Sequence, residues 1–214
     1  THPEKNVVLL TSFNPGSGKS HLAANIAMSL AIKEKKVLVI DGDLRHGSTS
    51  MLVDNPTKGL SDYLNGRIND VKEIICHGEE HGLAKDFDIL PIGTIPPNPT
   101  ELLFNERLEM LINQVRNEYD YVFIDCPPVE IVADTQIIEK FADRTIFVVR
   151  SGLMERSMLG DIEQIYKDKK FKNMTLILNG TKAQGGRYGH YYRYGYHYGY
   201  HYGYGYGYHY GKES

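Results

Sequence analysis

VVLLTSFNPGSGKS, residues 7–20, joins an apolar run to a turn of proline and glycine that is followed by Lys19 and Ser20. The apolar run predicts a buried strand, and the residues after the turn predict the start of a helix. The intervening loop can stay compact, so that successive backbone N–H groups face a polyphosphate and the helix dipole adds attraction for it. The predicted loop residues are Asn14, Pro15, Gly16, Ser17 and Gly18.

Lys19 and Ser20 supply the side-chain chemistry that such a loop needs. In a P-loop the lysine reaches the β- and γ-phosphates, and the serine hydroxyl ligates Mg²⁺. His21 completes the set of residues predicted to bind nucleotide at this loop. The strict pattern has glycine six residues before its lysine, where this chain has Phe13. The alternative interpretation is a glycine-rich turn that carries a surface lysine.

Two further apolar runs end in carboxylates. VLVI at 37–40 leads into Asp41-Gly42-Asp43-Leu44-Arg45, and YVFID ends at Asp125. Ligands of open parallel sheets bind at the carboxyl ends of the strands, so these groups are placed for a metal and phosphates. Asp125 is expected to hold Mg²⁺ opposite Ser20, and the predicted metal ligands are Ser20, Asp43 and Asp125. The alternative for each carboxylate is a polar exit from a strand.

The remaining pattern alternates between apolar runs and amphipathic segments. We predict further strands over 87–93, 145–150 and 174–179, and helices over 19–34, 59–66, 71–78, 101–119, 134–142 and 156–169. Helix 59–66 is expected to begin through Ser61. Strands that alternate with helices at these intervals predict a three-layer α/β/α fold with a mostly parallel sheet, and we assign it to a domain of residues 1–184.

Composition restricts the function of the 214 residues. The formal net charge of −3 does not favour a nucleic-acid partner. Cys76 and Cys126 lie in unrelated contexts, which suits a reducing compartment. His77 and His81 have no ligand cluster around them and are expected to be surface residues. No apolar run approaches the ~20 residues that span a bilayer, and the expected location is the cytoplasm.

From Gly185 onward the composition changes to glycine, tyrosine and histidine. Twelve of the chain's 16 tyrosines lie in this segment, and it contains no aliphatic residue. Such a segment cannot build a core, so residues 185–214 are predicted to be a flexible tail. The alternatives are a spacer, an adhesive aromatic segment, or a metal-binding tract that uses His190, His197, His201 and His209.

Four motifs together, SFNPGSGKS, VLVIDGDLR, IPPNPTELL and YVFIDCPPV, resemble the cytoplasmic domain of bacterial tyrosine kinases, the BY-kinases of capsule and exopolysaccharide assembly. In that family the loop has the pattern S-x-x-P-x-x-G-K-S, which does not require glycine at the position of Phe13. The family shares its P-loop fold with MinD and ParA ATPases. By resemblance, Lys19 and Ser20 correspond to the Walker A pair, and Asp41 and Asp43 to the second acidic motif. Asp125 corresponds to Walker B, and Asn179 to the residue that contacts adenine.

The resemblance implies an ATP- and Mg²⁺-dependent protein-tyrosine kinase that phosphorylates its own tail. Lys19 and Arg45 would offset transition-state charge, and Asp41 would orient or deprotonate the acceptor hydroxyl. The expected acceptors are Tyr188, Tyr191, Tyr192, Tyr194, Tyr196, Tyr198, Tyr200, Tyr202, Tyr204, Tyr206, Tyr208 and Tyr210. Two alternatives remain open: an ATPase switch of the MinD/ParA type, and a non-catalytic ATP-binding regulator of a membrane polysaccharide machine.

The resemblance also implies partners. It predicts a cytoplasmic domain that is tethered to the inner membrane through an upstream segment and assembles as a homo-oligomeric ring, with transfer between subunits. A membrane-anchored activator region, upstream or in a separate chain, and a cognate tyrosine phosphatase are expected. The family's E-x-x-R-x-x-R assembly segment is absent from these 214 residues.

Overall fold

The computed structural model describes residues 5–129 and 133–181. The strands are β1 (Val7–Ser12), β2 (Val37–Asp41), β3 (Cys76–His77), β4 (Phe87–Leu90), β5 (Tyr121–Asp125), β6 (Arg144–Arg150) and β7 (Met174–Asn179). The α-helices are α1 (Lys19–Ala31), α2 (Leu60–Leu64), α3 (Pro99–Leu103), α4 (Glu106–Glu118), α5 (Asp134–Glu139) and α6 (Leu159–Lys167). The predicted tail, with its acceptor tyrosines and the domain boundary before it, lies outside the described residues.

The strands form one sheet in the order β3-β4-β2-β5-β1-β6-β7. Every pairing is parallel except that of β3 with β4 at one edge. The central strands β1 and β2 are buried along their whole length, as expected for a parallel sheet that is covered on both faces. The prediction of a three-layer α/β/α fold with a mostly parallel sheet is confirmed.

Helix α1 covers one face of the sheet through small side chains. Ala23, Ala27 and Ala31 are buried at a spacing of four residues and pack in a cluster with Val8 and Val39. Leu22, Ile26 and Leu30 are only partly buried. The alanines leave little bulk between helix and strands, so α1 can lie close to the sheet.

Helices α2, α4, α5 and α6 cover the opposite face of the sheet. Its core joins apolar residues of α2, α4, α5 and α6 to strand residues; examples are Leu64, Leu111, Ile138, Ile162, Leu9, Ile40 and Phe147. In the described part of the chain, no helix is both long and apolar enough to cross a membrane.

The prediction of one long helix over 101–119 is wrong. The chain forms α3 and α4, with a break at Phe104 and Asn105. Asn105 has an extended backbone, and its side chain accepts a hydrogen bond from the Arg107 backbone N–H at 3.0 Å. Asparagine is favoured at this capping position because its side chain satisfies a free N–H of the new helix. The apolar periodicity continues through the break and therefore hides it.

The prediction of a helix over 71–78 is also wrong. Val71–Ile74 form a short 3-10 turn, after which β3 pairs antiparallel with β4, with Cys76 opposite Ile89.

Helix α2 begins after Gly59 rather than through Ser61, whose hydroxyl donates to the Thr94 carbonyl instead. The 3-10 turn Arg156–Met158 precedes α6, so the last predicted helix is shorter than expected.

Gly59 lies where two loops cross. A Cβ atom at this position would overlap the backbone of Pro91 and Gly93, which follow β4. The close approach lets the N–H groups of Leu60 and Ser61 donate to the carbonyls of Pro91 and Ile92, at 2.8 and 2.9 Å. Gly59 therefore joins the start of α2 to the end of β4.

We expect Gly59→Ala to lower the free energy of unfolding by about 2–3 kcal/mol, because the backbone cannot yield without breaking these bonds. The control is Gly160→Ala in α6, where a Cβ meets nothing within 4 Å. That change should raise stability by about 0.5–1 kcal/mol through helix propensity. Urea unfolding of the nucleotide-free variants checks both values. If the two substitutions changed the free energy of unfolding equally, the close contact of the two loops at Gly59 would be contradicted.

Candidate nucleotide-binding site

The register of the central strands brings the predicted site residues to one edge of the sheet. Strand β5 lies between β1 and β2, and Asp125 is paired with both Leu10 and Asp41. The loop after β1, the end of β5 and the end of β2 therefore meet at the carboxyl ends of three adjacent strands. This is the edge where open α/β sheets bind ligands.

The loop after β1 is shaped by its backbone. Gly16 and Gly18 have φ angles of 74° and 85°, in the left-handed region that favours glycine. The hydroxyls of Ser12 and Ser17 both donate to the Asn14 carbonyl at 2.8 Å, which ties the loop from within. Gly18 is the N-cap of α1, so the helix directs its amino end at the concave side of the loop.

Lys19 and Asp125 form the charged centre of the site. Lys19 is only 9% exposed and Asp125 is fully buried. Burial raises the pKa of Asp125, whereas the Lys19 charge and the nearby Ser20 and Thr49 hydroxyls oppose that rise. Thr49 Oγ1 donates to Asp125 Oδ2 at 2.8 Å. Among the described residues, Asp125 Oδ1 is buried without a hydrogen-bond partner.

Asp41 is buried beside Asp125. Its Oδ2 accepts hydrogen bonds from the Ser50 N–H and the Ser50 hydroxyl, each at 2.7 Å, and Oδ1 accepts one from the Asp43 N–H at 3.3 Å. Burial, followed by the Asp125 charge, raises the pKa of Asp41 to about 7, against the lowering effect of Ser50. Asp41 can therefore exchange a proton near neutral pH.

The side chains of Asp43 and Arg45 contact different groups. Asp43 Oδ1 lies 3.3 Å from both the Arg45 N–H nitrogen and His46 Nδ1. The Arg45 guanidinium contacts Asp134 Oδ2 at 3.2 Å and donates to Thr100 Oγ1 at 2.9 Å. Arg45 thus connects the loop after β2 to the starts of α3 and α5, an arrangement that the sequence did not predict.

The other side of the loop is bordered by β6 and β7. Asn179 Nδ2 donates to the Ser17 carbonyl at 2.9 Å, and Arg150 Nη1 donates to the Gly16 carbonyl at 2.7 Å. Sequence reasoning missed Arg150, although it ends a buried strand just as Asp125 does. Pro15 and His21 are exposed at this side of the site.

The residues present fit a magnesium–nucleotide complex. Mg²⁺ is bound by carboxylate and hydroxyl oxygens together with water and phosphate oxygens. The unpartnered Asp125 Oδ1 and the adjacent Ser20 hydroxyl supply such oxygens, with Asp43 nearby in the loop after β2. Within residues 5–129 and 133–181, no group of three or more His, Cys, Asp or Glu side chains is placed to hold a metal ion.

Fold and site together define a P-loop nucleotide-binding α/β protein. A family model described as an AAA domain matches residues 5–175. The chain is 36% identical over 187 residues to the tyrosine-protein kinase YwqD of Bacillus subtilis, and the match covers 86% of this chain and 76% of YwqD. The chain therefore belongs to the bacterial tyrosine-protein kinase family, as its sequence motifs predicted.

Solved structures agree with this assignment. The kinase domain of the Escherichia coli tyrosine kinase Etk matches with a TM-score of 0.76 and 31% identity, over 92% of this chain and 75% of that one. MinD of Pyrococcus horikoshii, solved with Mg-ADP, matches with a TM-score of 0.66 and 24% identity, over 81% of this chain and 70% of that one, which shows a shared fold. The chain spans only 20–25% of several other tyrosine-protein kinases that it matches.

We expect ionisation of the Asp41 carboxyl to lower the stability of the nucleotide-free protein as the pH rises from about 4 to about 7, because folding raises the pKa of this group from 3.8 to about 7. Asp41→Asn keeps an acceptor for Ser50 and removes the buried charge. It should therefore raise the free energy of unfolding at pH 8 more than at pH 5. Urea unfolding at both pH values is the measurement.

The matched control is Asp161→Asn, which changes an exposed carboxylate on α6 and should shift stability little at either pH. An effect of Asp41→Asn that is the same at pH 5 and pH 8 would show that the Asp41 charge is not the cause.

Proposed function

We propose that the chain is an ATP- and Mg²⁺-dependent tyrosine kinase domain that phosphorylates tyrosines of its own C-terminal segment. The observation that carries the proposal is the convergence of Lys19, Ser20 and Asp125 at a loop with two left-handed glycines. Family membership supports the reaction, and the tyrosine-rich sequence after residue 185 supports the acceptor.

Each side chain at the edge has a proposed role. When bound, ATP supplies the transferable phosphoryl group and Mg²⁺ neutralises its charge. Ser20, Asp43 and Asp125 hold the ion, and Lys19 places a positive charge against the β- and γ-phosphates. The backbone N–H groups of residues 14–18 orient the phosphates. Arg45 adds positive charge only after its guanidinium leaves Asp134.

Asp41 is our proposed base for the acceptor hydroxyl. A group with a pKa of about 7 can accept and release a proton at neutral pH, which suits general-base catalysis. Asp41 is fully buried, and the Asp43 and Ser50 N–H groups hold its two oxygens. Contact with an acceptor therefore requires the loop of residues 42–49 to open.

An ATPase switch of the MinD type is the second candidate function. The shared fold with MinD favours it. The sequence after residue 185 argues for the kinase, since a reaction with water as acceptor has no use for 12 clustered tyrosines. Transfer to tyrosine and release of free phosphate are different products, so one labelling experiment separates the two functions.

We extend the proposal to the setting of the reaction. The domain acts in the cytoplasm, tethered to the inner membrane by an upstream segment, and regulates capsule or exopolysaccharide synthesis. Subunits associate in a ring, so that one subunit modifies the tyrosines of its neighbour. A membrane activator promotes the reaction and a tyrosine phosphatase reverses it. The membership of the chain in the bacterial tyrosine-protein kinase family supports this setting.

Lys19→Met should abolish tyrosine phosphorylation while the protein stays folded, because the side chain acts through its charge on the phosphates. Label from γ-labelled ATP is measured on the protein and as free phosphate. The control is Lys33→Met at the exposed far end of α1, which should keep full activity. More than a few per cent residual labelling with Lys19→Met would refute the role of the loop, and free phosphate without labelled wild-type protein would favour the switch.

Asp125→Asn should raise the Mg²⁺ concentration for half-maximal labelling by about tenfold or more, because an uncharged amide binds the ion more weakly. Nucleotide affinity should fall less, since the loop N–H groups are unchanged. Asp88→Asn is the control: Asp88 is buried in β4 and accepts a hydrogen bond from the Tyr119 hydroxyl at 2.8 Å, at the other end of the strands. An unaltered Mg²⁺ requirement in Asp125→Asn would exclude Asp125 from the metal site.

A further inference from the structure

A cavity of about 290 Å³ lies beside the carboxylates of β2, on the side of β4. Its lining includes His46, Ser50, Met51, Pro56, Ile92 and Ile95. Ser50 Oγ donates to Asp41 Oδ2 at 2.7 Å, and His46 Nδ1 lies 3.3 Å from Asp43 Oδ1. The cavity therefore adjoins both acidic residues of β2 and its following loop, but none of the roles proposed above uses it.

The cavity is suited to an aromatic ring. Met51, Pro56, Ile92 and Ile95 provide apolar lining, whereas the polar lining residues Ser50 and His46 contact the carboxylates of Asp41 and Asp43. Cavities of about 150 Å³ already hold a benzene ring, so the volume admits one phenol. Ile95 is 60% exposed and Met51 50% exposed, which leaves the rim accessible from solvent.

The cavity is too far from the phosphate loop to hold the acceptor itself. Strand β5 separates β1 from β2, and the cavity lies beyond β2. With strands about 4.8 Å apart, it lies roughly 10–12 Å from the strand that leads into the loop. In an extended chain, residues two and four positions apart lie on one side at about 6.6 and 13 Å. A ring in the cavity would therefore belong to a neighbour of the acceptor.

The C-terminal segment of another copy of the chain has the matching pattern. From Tyr192 to Tyr210 every second residue is tyrosine, so an extended segment would present all of these rings on one side. Residues 192–210 contain Arg193 and no acidic residue. Asp54, which precedes the lining residue Asn55, is 94% exposed, and its carboxylate lies 3.5 Å from His81 Nδ1; it brings a negative charge near the cavity that can attract Arg193.

We propose that the cavity is a recognition subsite for the ring of a tyrosine two or four residues from the acceptor, in the C-terminal segment of a second copy of the chain. The inference rests on the proposed kinase function. In this arrangement each tyrosine of the alternating segment can be the acceptor in one binding register. When the segment shifts by two or four residues, the ring of the same tyrosine can occupy the cavity instead.

The test uses two synthetic peptides of residues 192–200 in which Tyr196 is the single acceptor. In one peptide the other tyrosines are replaced by Phe, which keeps the rings, and in the second by Ala. With the wild-type chain, the KM of the Phe peptide should be about tenfold lower than that of the Ala peptide, as expected for a buried aromatic anchor. Ile95→Asp should remove this difference and leave the KM for ATP within about twofold.

Ile32→Asp is the matched control, because Ile32 is 72% exposed at the far end of α1 and should keep the tenfold difference. A difference that persists in Ile95→Asp would place the anchor elsewhere, and a raised KM for ATP would assign the cavity to the nucleotide; either result overturns the proposal. If the wild-type chain labels neither its own tyrosines nor either peptide, the kinase function fails. Fluorescence anisotropy of the Phe peptide carrying a fluorophore needs no turnover and then still tests the cavity. Weaker peptide binding by Ile95→Asp than by the wild-type chain would support the subsite. Equal binding by the two proteins, or no binding by the wild-type chain, would overturn it.

Discussion

The placement of two buried carboxylates side by side is the constraint on which the site depends. Asp41 and Asp125 are paired in register on adjacent parallel strands, and neither is exposed. Charges this close in a medium of low polarity oppose each other's ionisation, so the surrounding groups must compensate. The loop after β1 supplies the Lys19 charge, and the chain after β2 supplies the donors Thr49 and Ser50. Both loops lie where they can provide this positive charge and these hydrogen-bond donors to the two carboxylates.

The same compensation is incomplete, and this suits the edge to a cation. Burial still raises the pKa of Asp125, and one of its oxygens has no hydrogen-bond partner in the described ranges. A divalent cation is the group that would stabilise such a pair most effectively, because it favours the ionised form of both carboxylates. Stability that the nucleotide-free protein lacks would thus be regained when ligand binds, as linkage requires.

Much of the fold and site could be predicted because both depend on local patterns. GSGKS after an apolar run, and carboxylates that end other such runs, are visible without long-range information, and parallel pairing brings them together. The Asn105 break was hidden because the apolar period continues across it, and the short β3 has no period to detect. Thr49 and Ser50 were missed because small polar residues after a strand are common. The rule that identified Asp125 would also have identified Arg150.

The order of the strands suggests how donor and acceptor approach. Asn179 and Arg150, at the ends of β7 and β6, contact one side of the loop, whereas the cavity beyond β2 lies on the other. In-line phosphoryl transfer needs the leaving and attacking oxygens on opposite sides of the phosphorus atom. With the nucleoside near β6 and β7, an acceptor that is anchored between β2 and β4 would attack from the opposite side. In the roles proposed for them, Asp125 would hold Mg²⁺ and Asp41 would accept the acceptor's proton, both from beside the line of transfer.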